Sequence, residues 1–407
     1  MEKAHSDSKA GSSKAAGAFM VLLCSFVFFS TFSIAGTQTS LTLAVLLWAF
    51  LMITGRIPLP RSTRLDIPVI VFVAASLVIV IFSQRRLQSF ESLKHLLLLS
   101  IIYVFAFPGG IAEQRRKIFS VLLLSGAASA LYGIILFFMG RGEDALGRIS
   151  GSFSNPMTFG GVMFLLSSLF FSVGIGRGLS LKIRGAVLSA SLLTAAALFF
   201  SFTRSSWLGM LASSLIIILI LRRRWLVPFV AALFVFYLLL PAPYQNRIKS
   251  IWDLEHRTNI RRLQLLDGGW RIFKEHPVIG VGQGDLAEIY RRHKSPEADR
   301  VYGHLHNIFL QAAVTGGIVG LFAFCFLIYS FFRLLVSNLR IDLPPPERAW
   351  IAGSVGALTG FVVNGLFECN FGDDEVVMLL YFIIGTNLAM ALNAGRFPGR
   401  GSAPEES

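Results

Sequence analysis

Cysteine and charge are both scarce in this chain of 407 residues. The three cysteines, Cys24, Cys325 and Cys369, lie in or beside apolar segments and read as small packing residues, which excludes a disulfide framework or a cysteine metal cluster. Only 15% of residues are charged against 54% hydrophobic, with a mean hydropathy of +0.66, and that balance excludes a soluble globular domain. Acids are scarcer than bases, 23 against 37, leaving a net charge of +14. The basic residues are scattered among short loops, so no nucleic-acid partner is expected; in a membrane protein this scatter serves orientation and contact with anionic lipid. No small-residue cleavage site follows the polar Lys/Ser-rich stretch 1–16, which reads as a disordered cytoplasmic tail before a first permanent span. No internal repeat stands out, and no run alternates in the manner of a membrane barrel.

What the chain has in abundance is long apolar runs. Segments of this length read as transmembrane helices, about twelve of them. They fall at 17–36, 39–54, 67–83, 93–108, 117–139, 157–175, 185–202, 206–221, 225–241, 306–332, 350–370 and 376–394. The expected organisation is a tail (1–16), nine spans (17–241), one large periplasmic loop (242–305), three spans (306–394) and a cytoplasmic tail (395–407). A cytoplasmic N-terminus puts most short basic segments inside: Lys3, Lys9 and Lys14; Arg56, Arg61 and Arg64; Arg115, Arg116 and Lys117; Arg177, Lys182 and Arg184; Arg222 to Arg224; Arg333, Arg340 and Arg348; Arg396 and Arg400. The expected outside turns 37–38 and 371–375 hold no basic residue.

Exceptions to that rule point towards function. Arg85, Arg86, Lys94, Arg141, Arg148 and Arg204 fall outside, and the loop 242–305 holds eight Arg and three Lys against eight acids. Arginine outside suits a phosphate or diphosphate, whose oxygens it grips in a two-pronged geometry. "SFTRSSWLGM" (201–210) sets Arg204 in a short turn at the hydrocarbon boundary. "NIRRLQLLDGGWRIFKEHPVIGVGQGDL" (259–286) reads as an amphipathic helix whose Leu263, Leu266, Trp270 and Phe273 face the membrane surface. Arg262 lies next to that face and Pro277 stops the helix, before a turn through Gly280, Gly282 and Gly284. No strand-helix unit surrounds these glycines, so they are no dinucleotide fingerprint. "ISGSFSNPMTFGG" (149–161) brings Asn155-Pro156 to a span entry. "VYGHLHNIFLQAAVTGGIVG" (301–320) places His304, His306 and Asn307 at another, where titratable groups are costly and helix capping is the competing reading. "GLFECNFGDDEVV" (365–377) ends a span with Glu368 and Asn370. Its Asp373, Asp374 and Glu375 read first as an acidic turn and second as oxygen ligands for a hard cation.

"SFSNP", "SFTRSSWLG", "RLQLLDGGWRIFKEHPVIGVGQG" and "HLHNIFLQAAVTGGIVGL" occur in the order seen in the O-antigen ligase and polymerase superfamily, which the chain resembles over roughly residues 150 to 390. The resemblance implies an all-α polytopic glycosyltransferase of the C-type architecture with amphipathic helices in a large periplasmic loop. It implies a donor glycan carried on undecaprenyl diphosphate, at the periplasmic face of a bacterial inner membrane. The family's essential histidine matches His306 and its two key arginines match Arg204 and Arg262, with Arg261 adjacent to the second. Arg261, Asn307, His304, Asn155, Gly282, Arg148 and Glu368 are the expected substrate contacts. Arginines would stabilise the departing diphosphate, and the histidine would take the proton of the attacking hydroxyl, with inversion and without metal or cofactor.

Three readings compete. A ligase passes the finished glycan to a sugar of lipid A-core, and a monomeric enzyme of this kind is the expectation here; the single loop and modest chain length favour it. A polymerase extends a lipid-linked glycan instead, and protein-directed oligosaccharyltransferases have longer external portions. A twelve-helix secondary transporter expects ionisable residues near the middle of spans, whereas the unusual polar residues here gather at one rim.

Overall fold

A computed structural model describes the backbone of residues 2–57, 60, 62–106, 111–142 and 147–394, with side chains in that set from residue 15 onward except 111–113. The expected tail 395–407 lies outside the described residues, as do Arg61, Arg396 and Arg400. Among the described residues there are sixteen α-helices and no strand. In chain order they are α1 (Glu2–Phe29), α2 (Ile34–Ile53), α3 (Asp66–Phe82), α4 (Arg86–Glu91), α5 (Ser100–Ala106), α6 (Ile111–Phe138), α7 (Pro156–Ile175) and α8 (Leu181–Phe200). There follow α9 (Arg204–Arg222), α10 (Leu226–Leu239), α11 (Ala242–Lys249), α12 (Arg257–Glu275), α13 (Ala287–His293), α14 (Ile308–Asn338), α15 (Pro345–Gly365) and α16 (Asp374–Asn393). Unalternating apolar sequence can satisfy its backbone in lipid only this way.

Seven stretches are long and apolar enough to cross a membrane: Ile34–Ile53, Arg86–Ala106, Gln114–Phe138, Pro156–Ile175, Leu181–Phe200, Ile308–Asn338 and Asp374–Asn393. Ala15–Phe29 and Asp66–Phe82 are shorter apolar helices. The chain is therefore an all-helical, multi-pass membrane protein. Almost every side chain of α7 and α16 is buried, so these two form the centre, while α10 buries none. At the crossing of α9 and α15 the backbones nearly touch. A Cβ added to Gly209 would meet Gly360 O at 2.7 Å, and one on Gly360 would meet Gly209 O at 2.5 Å.

Several boundaries differ from expectation. The first helical pair breaks at 30–33, not 37–38, because hydroxyls close the helix ends: Ser30 and Thr31 donate to Val27 O and Phe28 O, and Ser33 caps Gly36 N. The first helix also begins at Glu2, within the stretch 1–16 that read as a disordered tail. The span expected at 93–108 is a 3-10 helix over Ser92–Leu99 followed by α5, with α4 directly before it. α15 starts five residues before the expected span at 350–370, since Pro345 and Pro346 occupy the first turn, where their fixed φ suits a helix and no N–H is needed.

The arrangement at α14 positions the site. Gly317 (φ 62°, ψ −158°) breaks this helix, and residues 277–282 dock into the gap. Val281 N and Gly282 N donate to Val314 O and Thr315 O (2.9 and 3.0 Å), while Ile318 N and Val319 N donate to Pro277 O and Val278 O (2.8 and 3.3 Å). Four groups that the break leaves without helical partners are thereby satisfied. Leu265 and Ile272 of α12, with Val281, Leu286, Tyr290, Leu305 and Val314, form the small core beneath. Of the four apolar residues expected on the outer face, Leu263, Leu266 and Trp270 stay exposed, 37–51% accessible, while Phe273 packs partly against this core.

Gly317→Ala should test the break. Its Cβ would lie 2.2 Å from Val278 C in a backbone region that side chains avoid. The expected cost is about 1–3 kcal/mol, read as a lower melting temperature in detergent. An unchanged melting temperature would mean that residues 277–282 do not hold the break.

Candidate active site at the rim of the helical bundle

Four arginines gather at one turn. Ser201 to Thr203 join α8 to α9, and Phe202 is left-handed there (φ 52°), a conformation that costs a bulky residue on the order of 1–3 kcal/mol. Its ring stacks on Tyr244 of α11 at 5.0 Å, in a column that continues through Phe199 to Trp207. Ser201 O accepts from Arg148 Nε at 3.1 Å, and Phe202 O from Arg247 Nη2 at 3.4 Å. Thr203 Oγ1 donates to Pro156 O, tying the turn to the start of α7.

Arg204 is buried and reaches the other way. Its Nη1 donates to Ser250 O and Ser250 Oγ (2.6 and 2.8 Å), and its Nη2 to Thr258 Oγ1 and Asn259 Oδ1. None of these partners is a carboxylate, so the guanidinium is held but its charge is not neutralised by them. The charges bearing most on it are Arg247, Arg262 and Arg148, all of its own sign. Two such charges 4 Å apart repel by about 4 kcal/mol near a protein surface. An anion beside Arg204 would balance its charge, and a phosphate or diphosphate has the oxygens to do so.

Arg262 connects this niche to the titratable groups. It lies one helical turn beyond Thr258 on α12, with its guanidinium 5.9 Å from the centre of the Phe367 ring. Burial presses its pKa below the ordinary value, and the neighbouring Glu368 opposes that shift. Glu368 Oε1 lies 3.0 Å from His306 Nδ1 and also accepts from Cys369 N. Burial raises the Glu368 pKa, but the His306 hydrogen bond and the charges of His306 and His304 outweigh it and hold the carboxyl below its ordinary value. With Nδ1 donating to the carboxylate, His306 keeps its lone pair on Nε2.

His306 is itself left-handed (φ 49°). Asn307 maintains that geometry: its Oδ1 caps α14 by accepting from Phe309 N and Leu310 N, and its Nδ2 donates to Leu366 O at 3.1 Å. It thus clamps the segment carrying His306 to the one carrying Glu368. The His304 ring stands 4.2 Å from that of His306, and burial first, then the His306 charge, lowers its pKa. His304, His306 and Glu368 each offer one ligand atom within 4.8 Å of the others, a spacing that would also accept a metal ion.

These groups form one wall of a cavity of about 1060 Å³. Phe72, Ile79 and Phe324 make its apolar side, and Asn155, Thr158 and residues 368–375 its polar side. Asp374 Oδ1 meets His95 Nδ1 at 2.6 Å, and Thr158 Oγ1 donates to Asp373 Oδ2 at 2.6 Å. Two buried acceptors on this side, Glu368 Oε2 and Asn370 Oδ1, have no donor.

Of the expected residues, His306, His304, Glu368 and Asn155 line the cavity, while Arg262, Arg204 and Arg148 belong to the adjoining arginine niche. Asn155 also caps α7, with Oδ1 accepting from Met157 N and Thr158 N. Arg204 proves to be the first residue of α9 and not part of a turn. Two expected contacts find other work. Arg261 is paired through Nε and Nη2 with Asp299, so of the neighbouring arginines it is Arg262 that faces the site. Gly282 packs against Ser83, where a Cβ would come within 1.9 Å of the hydroxyl oxygen, and Gln283 to Asp285 line the cavity in its place. Arg247 and His95 were not singled out from sequence. A signal for Arg247 exists in retrospect: α11 contains no acid that would pair it internally.

The fold and the site together define a helical membrane chain with arginines, a histidine and a carboxylate gathered at one rim. Residues 189–325 match the family model described as Wzy_C, O-antigen ligase, and this match supports the O-antigen ligase and polymerase superfamily. It contains Arg204, Arg247, Arg262, His304 and His306. No curated protein matches the chain.

Asp373 gives this region a pH signature. Burial first, then the hydrogen bond and charge of Glu375, push its carboxyl up to about 8. The unfolded chain loses this proton near pH 4, so the group's contribution to stability is full below pH 4 and is lost progressively as pH rises to 8. Asp373→Asn keeps the neutral form throughout. It should melt close to the wild type at pH 4 and above it at pH 8; parallel melting curves across that range would show Asp373 ionised in the fold.

Proposed function

We propose that the protein is an O-antigen ligase, transferring a glycan from undecaprenyl diphosphate to a sugar hydroxyl of lipid A-core at the periplasmic face of the inner membrane. One observation carries the proposal: Arg262, from a niche of four arginines, stands beside Glu368, which holds His306 at 3.0 Å. The diphosphate occupies the arginine niche, and the acceptor sugar enters the cavity. His306 Nε2 takes the proton of the attacking hydroxyl as its oxygen bonds to the anomeric carbon and the bond to the diphosphate oxygen breaks. The charge left on undecaprenyl diphosphate is stabilised by Arg262 and the arginines behind it. Glu368 stabilises the imidazolium formed. Attack opposite the leaving group inverts the anomeric centre. The unpaired acceptors of Glu368 and Asn370 suit the hydroxyl donors of a sugar.

Arg204 acts in this scheme by its charge and by positioning the start of α12, since its N–H groups already serve residues 250–259. The single extended segment between α10 and α14 favours the ligase over the polymerase. A second reading rests on the spacing of His304, His306 and Glu368: a divalent cation held there would activate the hydroxyl in place of a free base.

Purified protein incubated with lipid A-core and undecaprenyl-diphosphate glycan in EDTA should yield a slower-migrating lipopolysaccharide. His306→Asn, in which Asn tolerates the left-handed backbone, should lower turnover by about 10²- to 10⁴-fold. Arg262→Lys should slow it strongly and Arg261→Ala little. Near-normal turnover in His306→Asn and Arg262→Lys would remove the site. Loss of activity in EDTA would select the metal reading, and lengthening of the lipid-linked glycan would select the polymerase.

A further inference from the structure

A second cavity lies at the opposite end of α9 from Arg204. The 19 residues of this helix separate its ends by about 27 Å. The cavity, about 420 Å³, is lined by Arg177, Arg184, Arg222 and Arg224 together with Trp225 and Leu188, and no carboxylate lines it. Arg177 follows the end of α7, Arg184 sits in the first turn of α8, and Arg222 and Arg224 flank the end of α9. The four therefore come from three helix ends.

Electrostatics within the protein leave this cluster unbalanced. Arg184 Nη2 and Arg222 Nη2 share a single acceptor, Gly176 O, at 3.3 and 3.5 Å, and Arg184 Nε is buried without one. The charges bearing on Arg222 are Arg177, Arg224 and Arg184, all positive. Orienting a membrane protein requires basic residues near a helix end, but not their convergence on one cavity. Convergence has a repulsive cost that an anion would remove.

The surroundings identify what kind of anion. Ile175, Ile217 and Ile218 form an apolar floor with Phe171, Leu188 and Phe229. Leu181, Ile183, Leu219 and Val227 stand exposed around the same helix ends. Trp225 lies beneath the Arg222 guanidinium, its ring centre 5.9 Å away, in the manner of an interfacial aromatic. A free phosphate would use the guanidiniums only, whereas a phospholipid would use the apolar rim as well. We infer that this cavity binds the phosphate group of an anionic phospholipid, with Arg184 and Arg222 gripping its oxygens and Arg177 and Arg224 closing over it. The chemistry follows the general recognition of anionic headgroups by basic pockets between membrane helices. The site is independent of the transfer reaction proposed above.

The test uses the full chain purified in detergent, titrated with phosphatidylglycerol, cardiolipin, phosphatidylcholine or inorganic phosphate. Bound lipid is counted by native mass spectrometry, and the melting temperature is followed in parallel. Both anionic lipids should be retained and should raise the melting temperature; phosphatidylcholine should do neither. Arg184→Gln/Arg222→Gln should weaken retention at least tenfold. Should that pair fold poorly, the exposed pair Arg177→Gln/Arg224→Gln should still weaken it severalfold and make it less sensitive to salt. Equal retention by wild type and both variants would overturn the site. Stabilisation by inorganic phosphate equal to that by lipid would overturn the lipid assignment.

Discussion

Four backbone hydrogen bonds at the break in α14 decide where everything else at the rim can stand. They join residues 277–282, which follow directly from α12, to residues 314–319 of the helix that begins just after His306. Arg262 and His306 are therefore attached to a common backbone core. The small hydrophobic cluster of Leu265, Ile272, Val281 and Val314 stiffens it. A helix broken inside an apolar span would normally leave polar groups in lipid at a cost of several kcal/mol each. Here the inserted segment supplies the partners, and the break becomes an anchorage for α12.

The arginine niche solves a different problem: how to hold the buried Arg204 without a carboxylate. Carbonyl and hydroxyl groups of the 201–203 turn and of residues 250–259 hold Arg148, Arg247 and Arg204 by hydrogen bonds. A carboxylate would hold Arg204 more tightly but would cancel its charge. Arg261 illustrates the contrast, since its pairing with Asp299 removes it from the site although it neighbours Arg262 in sequence. The left-handed Phe202 belongs to the same economy: its strained turn directs two adjacent carbonyls at two arginines. His306 is the second non-glycine residue with positive φ among those described, so both strained residues lie where the chemistry is expected.

Much of this was legible in the sequence, and the reasons for the rest are physical. Apolar length announced the helices, and cost announced the polar rim: His306, Glu368, Arg204 and Arg262 all stood out as expensive groups near a membrane boundary. Helix ends closed by serine and threonine hydroxyls were misplaced, because those residues interrupt an apolar run only weakly; the 30–33 turn is the example. Partner choice was harder still. Whether Arg261 or Arg262 faced the site depended on Asp299, 38 residues away, and sequence separation of that size says nothing about contact. Gly282 looked like a binding glycine because glycine permits close approach, but what approaches it is Ser83. Asn307 could be read either as a cap or as a contact; its side chain caps α14 and clamps Leu366 at once.

The contact between Gly209 and Gly360 has a mechanical meaning for α9. Carbonyl oxygen there faces bare Cα with no side chain between to cushion a displacement. Rolling the helix about its axis would drive these atoms together, because close-packed interiors resist compression. The helix with Arg204 at its head and Arg222 at its foot therefore behaves as a keyed shaft. Its two cationic ends keep one angular relation to each other and to α15, whichever of them is occupied.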